Sequence, residues 1–103
     1  MEKELTVVDS LYLEDNVRLA RIFKALSHPA RISIMNLLSH RDTCICNDIV
    51  KELPLAQSTV SQHLKELKDA GLIQGNITPP SVKYCINKEN WSIAVSLIEK
   101  FLQ

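Results

Sequence analysis

Apolar positions along this chain recur at helical spacing in several separate stretches, and one β-prone pair of runs lies between the last two. From Glu14 onward, Leu19, Ile22, Phe23 and Leu26 fall at i, i+3, i+4 and i+7, with Arg18, Arg21 and Lys24 on other faces. Residues 1–12 lack that strong periodicity and read as an N-terminal arm. A second helix is expected from "LSHPARISIMNLLS". Ser27 or His28 can cap it, and Pro29 suits the first helical position, where its missing N–H costs nothing. Ala30, Ile34, Leu37 and Leu38 set its apolar face, with Met35 on the flank, and it ends near Ser39 and His40.

Residues 47–71 carry a different rhythm. Asn47 or Asp48 can cap a short helix with Ile49, Val50 and Leu53 on its apolar side, and Pro54 stops it. A longer helix follows in "QSTVSQHLKELKDAGL". Its inner stripe is Val60, Leu64 and Leu67, and Gly71 suits a left-handed C-terminal position. A short helix, a tight turn and a longer helix with a polar outer face make a helix-turn-helix. The runs "LIQGNI" and "SVKYCI" flank "TPP" and predict a hairpin over 72–86, a wing in this context. Asn87 can cap a last helix over 87–103. Its Trp91, Ala94, Val95, Ile98, Phe101 and Leu102 give more apolar surface than one small domain uses, which predicts a partner helix from a second protomer. The expected architecture is mainly α, with five helices and a small β-hairpin wing in one domain spanning 1–103.

Composition narrows the function classes. Of the 103 residues, 46% are hydrophobic and 23% charged, as in ordinary globular domains. Lys and Arg total 12, as do Asp and Glu, so contact with nucleic acid must rest on local patches rather than bulk charge. No window approaches the ~20 apolar residues of a membrane span, and "MEKELTVVDS" lacks a signal-peptide pattern. Three cysteines without a secretory cue favour reduced thiols in a cytoplasmic protein. No nucleophile–base pair, phosphate loop or paired-acid arrangement is present, which argues against an enzyme.

From Phe23 to Cys85 the chain resembles the ArsR/SmtB winged-helix repressors, the arsenic- and metal-responsive regulators of bacteria. "LSHPARISIM", "STVSQHLKELKDAGLI" and "VKYCI" carry the resemblance, in the right order. It implies a homodimer built from the first and last helices, bound to operator DNA and released by an inducer.

A polar helix face is by default a solvated one. Here it carries Gln57, Ser58, Thr59, Ser61 and Gln62, short groups that donate and accept, rather than Lys/Glu pairs. Gln can pair with an adenine edge, and Ser or Thr can reach bases or phosphates. Lys65 is the expected phosphate contact. His63, on the flank of the apolar stripe, is either packed or a backbone contact. Lys83 and Asn76 are candidates on the wing. Arg31 is expected to anchor the second helix or pair with an acid. Two recognition helices must meet successive major grooves about 34 Å apart, which predicts an inverted-repeat operator.

Cys44 and Cys46 form a C-x-C pair. Free cysteines are among the most buried residue types, so two around an isoleucine could be plain core. In the metal-sensing branch of the family, such a pair at the start of the helix-turn-helix supplies thiolates to arsenic(III) and similar ions. Here Asn47 intervenes before Asp48 and Ile49, one position off the familiar pattern. An extended segment would put residues i and i+2 on one side. In winged-helix folds that segment commonly pairs with the returning wing strand, which here carries Cys85. Cys44, Cys46 and Cys85 are therefore expected to converge as a three-thiolate site for a soft inducer, with no obligatory cofactor. Two other readings stay open. One is a thiol-redox switch with a bond from Cys85 to one of the pair; the other is a winged-helix protein-interaction module without an operator.

Overall fold

The computed structural model describes residues 7–40, 44–46, 53–78 and 81–103. Four helices and three strands occur among them: α1 (Val7–Ala25), α2 (Pro29–His40), β1 (Ile45–Cys46), α3 (Gln57–Asp69), β2 (Ile73–Thr78), β3 (Ser81–Ile86) and α4 (Lys88–Leu102). The expected count of five helices is thus corrected to four among the described residues. The short helix of the helix-turn-helix is expected between Asn47 and Leu53, and residues 47–52 lie outside the described residues. At Leu53 the chain is not helical: the Leu55 N–H donates to the Leu53 carbonyl at 2.7 Å in a tight turn around Pro54. The proline ring disfavours a helical conformation in the residue before it, which accounts for the break.

A second difference lies at the N-terminus. Helix α1 begins at Val7, inside the segment expected as an arm. Val8, Leu11 and Tyr12 extend the i, i+3, i+4 spacing by another turn, and neither Gly nor Pro interrupts 7–25.

Three strands form one antiparallel sheet in the order β1-β3-β2. The hairpin pairs Ile73 with Ile86 and Thr78 with Ser81, and on the other edge of β3 Ile45 pairs with Tyr84 and Cys46 with Lys83. The wing is therefore tied on its outer edge to the segment leading into the helix-turn-helix.

Ile22 and Ala25 of α1, Ile34, Met35 and Leu38 of α2, and Val60, Leu64 and Leu67 of α3 form the core with Leu72, Ile73 and Ala94. The inner stripe of α3 is the one its spacing predicts. His28 caps α2: its Nδ1 accepts from the Ala30 N–H at 3.0 Å, while Pro29 opens the helix. At the end of α3, Gly71 takes φ +79°, its N–H reaches the Lys68 carbonyl, and the Leu72 N–H reaches the Leu67 carbonyl. This pair of bonds is a Schellman motif, which satisfies the last carbonyls of the helix and turns the chain into the wing. Leu72 then packs in the core beside Leu67. Asn87 caps α4 by accepting the Asn90 N–H at 3.1 Å, as its position predicts.

Candidate nucleic-acid interface and a neighbouring thiol pair

Because Val60, Leu64 and Leu67 turn one side of α3 into the core, the other side faces out. Ser58, Thr59, Ser61, Gln62 and Lys65 are all exposed on it. The side chain of Gln57 lies outside the described part. No acidic residue occupies the first turn of α3, and its N-cap, Ala56, offers no side-chain acceptor. Within the helix and its cap, nothing offsets the partial positive charge at that end. Farther along, the Gln62 amide donates to Glu66 at 3.2 Å, and Lys65 pairs with Asp69 at 2.8 Å. Hydrogen bonding to Asp69 holds the Lys65 ammonium above its ordinary pKa, so this residue stays charged.

His63 stands apart from that row. It is 7% exposed and packs inward. Its ring lies 4.2 Å from the His28 ring, and its Nδ1 is 3.0 Å from Arg31 Nη1. Burial, and after it the His28 and Arg31 charges, push its pKa below the ordinary imidazole value. Among the described residues Arg31 pairs with no acid. Its Nε donates to the Ala25 carbonyl at 2.6 Å, at the end of α1. Sequence reasoning gave Arg31 an anchoring role but missed its two-sided reach. The only available signal was one histidine in each of "SHPAR" and "SQHL", too far apart in sequence for their contact to be read from spacing.

Lys83 is exposed on β3, where its backbone pairs with Cys46 on one side and Asn76 on the other. The Asn76 side chain lies outside the described part. Two positions along the same strand, past the Ile45–Tyr84 pair, Cys44 and Cys85 are joined by a disulfide, with Cα atoms 4.3 Å apart. Two of the three cysteines expected to converge are thus brought together, by pairing of β1 with the wing. The Cys46 side chain lies outside the described part. Among the described residues, no group of three His, Cys, Asp or Glu side chains is arranged to hold a metal ion.

Residues 28–74 match the family model described as bacterial regulatory protein, arsR family. The chain is 35% identical over 71 residues to the arsenical resistance operon repressor of Staphylococcus xylosus, covering 69% of this chain and 67% of that one. It is 40% identical over 63 residues to an uncharacterised HTH-type transcriptional regulator of Methanocaldococcus jannaschii, covering 60% and 70%. The chain belongs to the arsR family. Regulators of this family are DNA-binding proteins without catalysis, so the chain is a DNA-binding transcriptional regulator of the repressor type and not an enzyme. The fold agrees: a homodimeric winged helix-turn-helix DNA-binding domain from Mycobacterium bovis superposes with a TM-score of 0.64 at 22% identity, covering 99% of this chain and 90% of that one. In this winged-helix fold, α3 is the longer helix of the helix-turn-helix and β2–β3 the wing. No helix among the described residues is long and apolar enough to cross a membrane.

Proposed function

We propose that this arsR-family chain is a dimeric, operator-binding repressor whose DNA affinity is set by the oxidation state of Cys44 and Cys85. One observation carries the thiol reading: a covalent bridge from Cys44, immediately before β1 and ahead of the helix-turn-helix, to Cys85 in β3 of the wing. Oxidation removes two electrons and two protons from the dithiol. A hydroperoxide accepts them, with its O–O bond broken and its oxygens leaving as water and an alcohol or a second water. The bridge then fixes the base of the wing against the segment before the recognition helix. Both elements must reach DNA together, so fixing one against the other changes how they fit the duplex. Oxidation releases the operator, with a coupling of ~1–3 kcal/mol, or roughly 5–150-fold in affinity.

On this reading the exposed Ser58, Thr59, Ser61 and Gln62 read base edges or phosphates, with Gln57 at the start of the same helix. Lys65 and Lys83 meet phosphates. The uncompensated N-terminus of α3 favours the approach of a phosphate to its first turn. Dimerisation through α1 and α4 is supported by their exposed apolar residues, Val17, Phe23, Phe101 and Leu102 among them.

A second reading is favoured by the name of the Staphylococcus xylosus relative, an arsenical resistance operon repressor. Arsenic(III) would be held by the thiolates of Cys44, Cys46 and Cys85 and would release DNA in place of an oxidant. One titration separates the two. Binding of the reduced chain to an inverted-repeat duplex is followed by fluorescence anisotropy while peroxide, arsenite and zinc are added separately. Release by peroxide that is reversed by dithiothreitol and abolished by Cys85→Ser supports the redox switch. Release by arsenite alone, lost in Cys46→Ser, replaces it with the metal reading.

A further inference from the structure

Arg31 joins three helices. Its Nε donates to the Ala25 carbonyl at 2.6 Å, and its Nη2 lies 3.4 Å from the Lys24 carbonyl, both in the last turn of α1. Its Nη1 donates at 3.0 Å to His63 Nδ1, in the middle of the recognition helix. A guanidinium carries only donors, so His63 Nδ1 must accept, and the ring is neutral with its proton on Nε2. Among the described residues that Nε2 is buried without a hydrogen-bond partner. The ring is held by packing against His28 and by the single bond from Arg31.

We propose that Arg31 and His63 form an acid-sensitive clasp, one that holds the recognition helix against the end of α1 and opens when His63 takes up a second proton, weakening DNA binding. In the imidazolium, Nδ1 carries a hydrogen that points at the Arg31 donor. The bond is lost, and two positive charges meet in a buried site. Among the described residues, the groups facing His63 are the His28 ring before α2, the Arg31 guanidinium of α2 and the Glu66 carboxylate of α3 itself. The first two oppose a charge on His63 and Glu66 favours one. His63 lies next to Gln62 and two residues from both Ser61 and Lys65. Any shift of its ring out of the core therefore displaces the row proposed to read DNA. The inference rests on the DNA-binding reading and is independent of the thiol switch.

The sign of the effect makes it testable. Protonating histidines near DNA ordinarily tightens binding, because each new cation neutralises phosphate. The clasp predicts the reverse. Inverted-repeat duplexes selected from a random pool by the full reduced chain at pH 7.5 serve as probe, and binding is measured by anisotropy from pH 7.5 to 5.5. Wild type is expected to weaken about fivefold or more. His63→Gln keeps an acceptor for Arg31 but cannot titrate, and its profile should lose that acid-driven fall. Wild-type binding that is flat or tightens with acid, or a His63→Gln profile falling in step with wild type, overturns the proposal. A second arm needs no DNA: nitrogen-15 NMR of the free chain should find the His63 proton on Nε2 at pH 7.5 and its titration below the ordinary imidazole value. A proton on Nδ1, or titration at or above that value, overturns the clasp directly. A chain with the expected tautomer that binds no DNA at any pH sinks the operator reading instead, and the acid effect with it.

Discussion

Cys44, the residue before β1, is bonded to Cys85 of β3, one position beyond the Ile45–Tyr84 pair, with a Cα separation of 4.3 Å. That spacing matches the narrower of the two antiparallel pair classes, about 4.5 Å. The bond closes a loop over a sequence separation of 41. Loop-closure entropy for that length gives about 4 kcal/mol of stabilisation, less any strain in the folded chain. Urea unfolding with and without dithiothreitol should differ by up to that amount. Cys44→Ser and Cys85→Ser should each remove the difference, and the double variant should remove no more. Additive losses would mean that the two sulfurs do not act as one unit.

Lys65 is held by Asp69 one helical turn away, yet both side chains are well exposed, at 65% and 60%. Exposed pairs of this kind are weak, so a phosphate can compete for the lysine. Lys65→Ala should weaken binding evenly across DNA sequences and reduce the salt dependence by about one counterion. Asp69→Asn should tighten binding by freeing the lysine. Sequence-selective loss on Lys65→Ala would assign it to base reading instead.

Helix α3 and the β2–β3 hairpin were legible in the sequence because their signals are local. Val60, Leu64 and Leu67 fall at helical spacing, Gly71 ends the helix, and "TPP" separates two β-prone runs. The convergence of Cys44 with Cys85 was also legible, since an extended segment before the helix-turn-helix has the wing strand as its natural partner. Two features were not. The start of α1 at Val7 was hidden because Val8, Leu11 and Tyr12 make only one short turn of pattern beside acidic and polar residues. The Arg31–His63 contact was hidden because it joins side chains 32 residues apart, and nothing in either segment's periodicity encodes such a pairing.

Gly71 holds φ +79°, and a Cβ there would meet Asn90 Nδ2 at 2.9 Å. That same amide donates to the Gly71 carbonyl at 2.9 Å, linking the helix end to α4. Gly71→Ala therefore combines left-handed strain of about 1–2 kcal/mol with displacement of this bond. A lower urea midpoint with an unchanged slope is expected. Asn90→Ala in the Gly71→Ala background should recover part of the loss by removing the clash.

Folding stability should also carry the mark of His63. Its pKa is lowered in the folded chain, so the unfolded chain binds the extra proton more readily. The stabilisation drawn from the neutral ring is fully present above the ordinary value near 6.5 and is lost as pH falls through the depressed folded value. Thermal melts of wild type should therefore fall over this acidic window. His63→Gln should flatten the part of the slope that belongs to this residue. A wild-type melting temperature that rises across the window would contradict the direction of the shift.

Phe23 of α1 meets Phe101 of α4 edge-on, with ring centroids 5.6 Å apart. Both rings remain exposed, at 39% and 62%, as do Val17 at 61% and Leu102 at 74%. One protomer therefore assembles an apolar surface from its first and last helices without covering it. Val17→Glu places a charge at an exposed apolar position of α1 away from the ring pair, and Phe101→Glu tests the pair itself. Sedimentation should show both variants shifted from dimer to monomer. The loss for DNA should depend on the length of the site. Two recognition helices tethered in one dimer gain avidity of about 10²–10⁴-fold over one. Affinity for an inverted repeat should thus fall by about two orders of magnitude or more, while affinity for a single half-site should barely change. Equal losses on both duplexes would place the defect in the fold of the protomer rather than in its assembly.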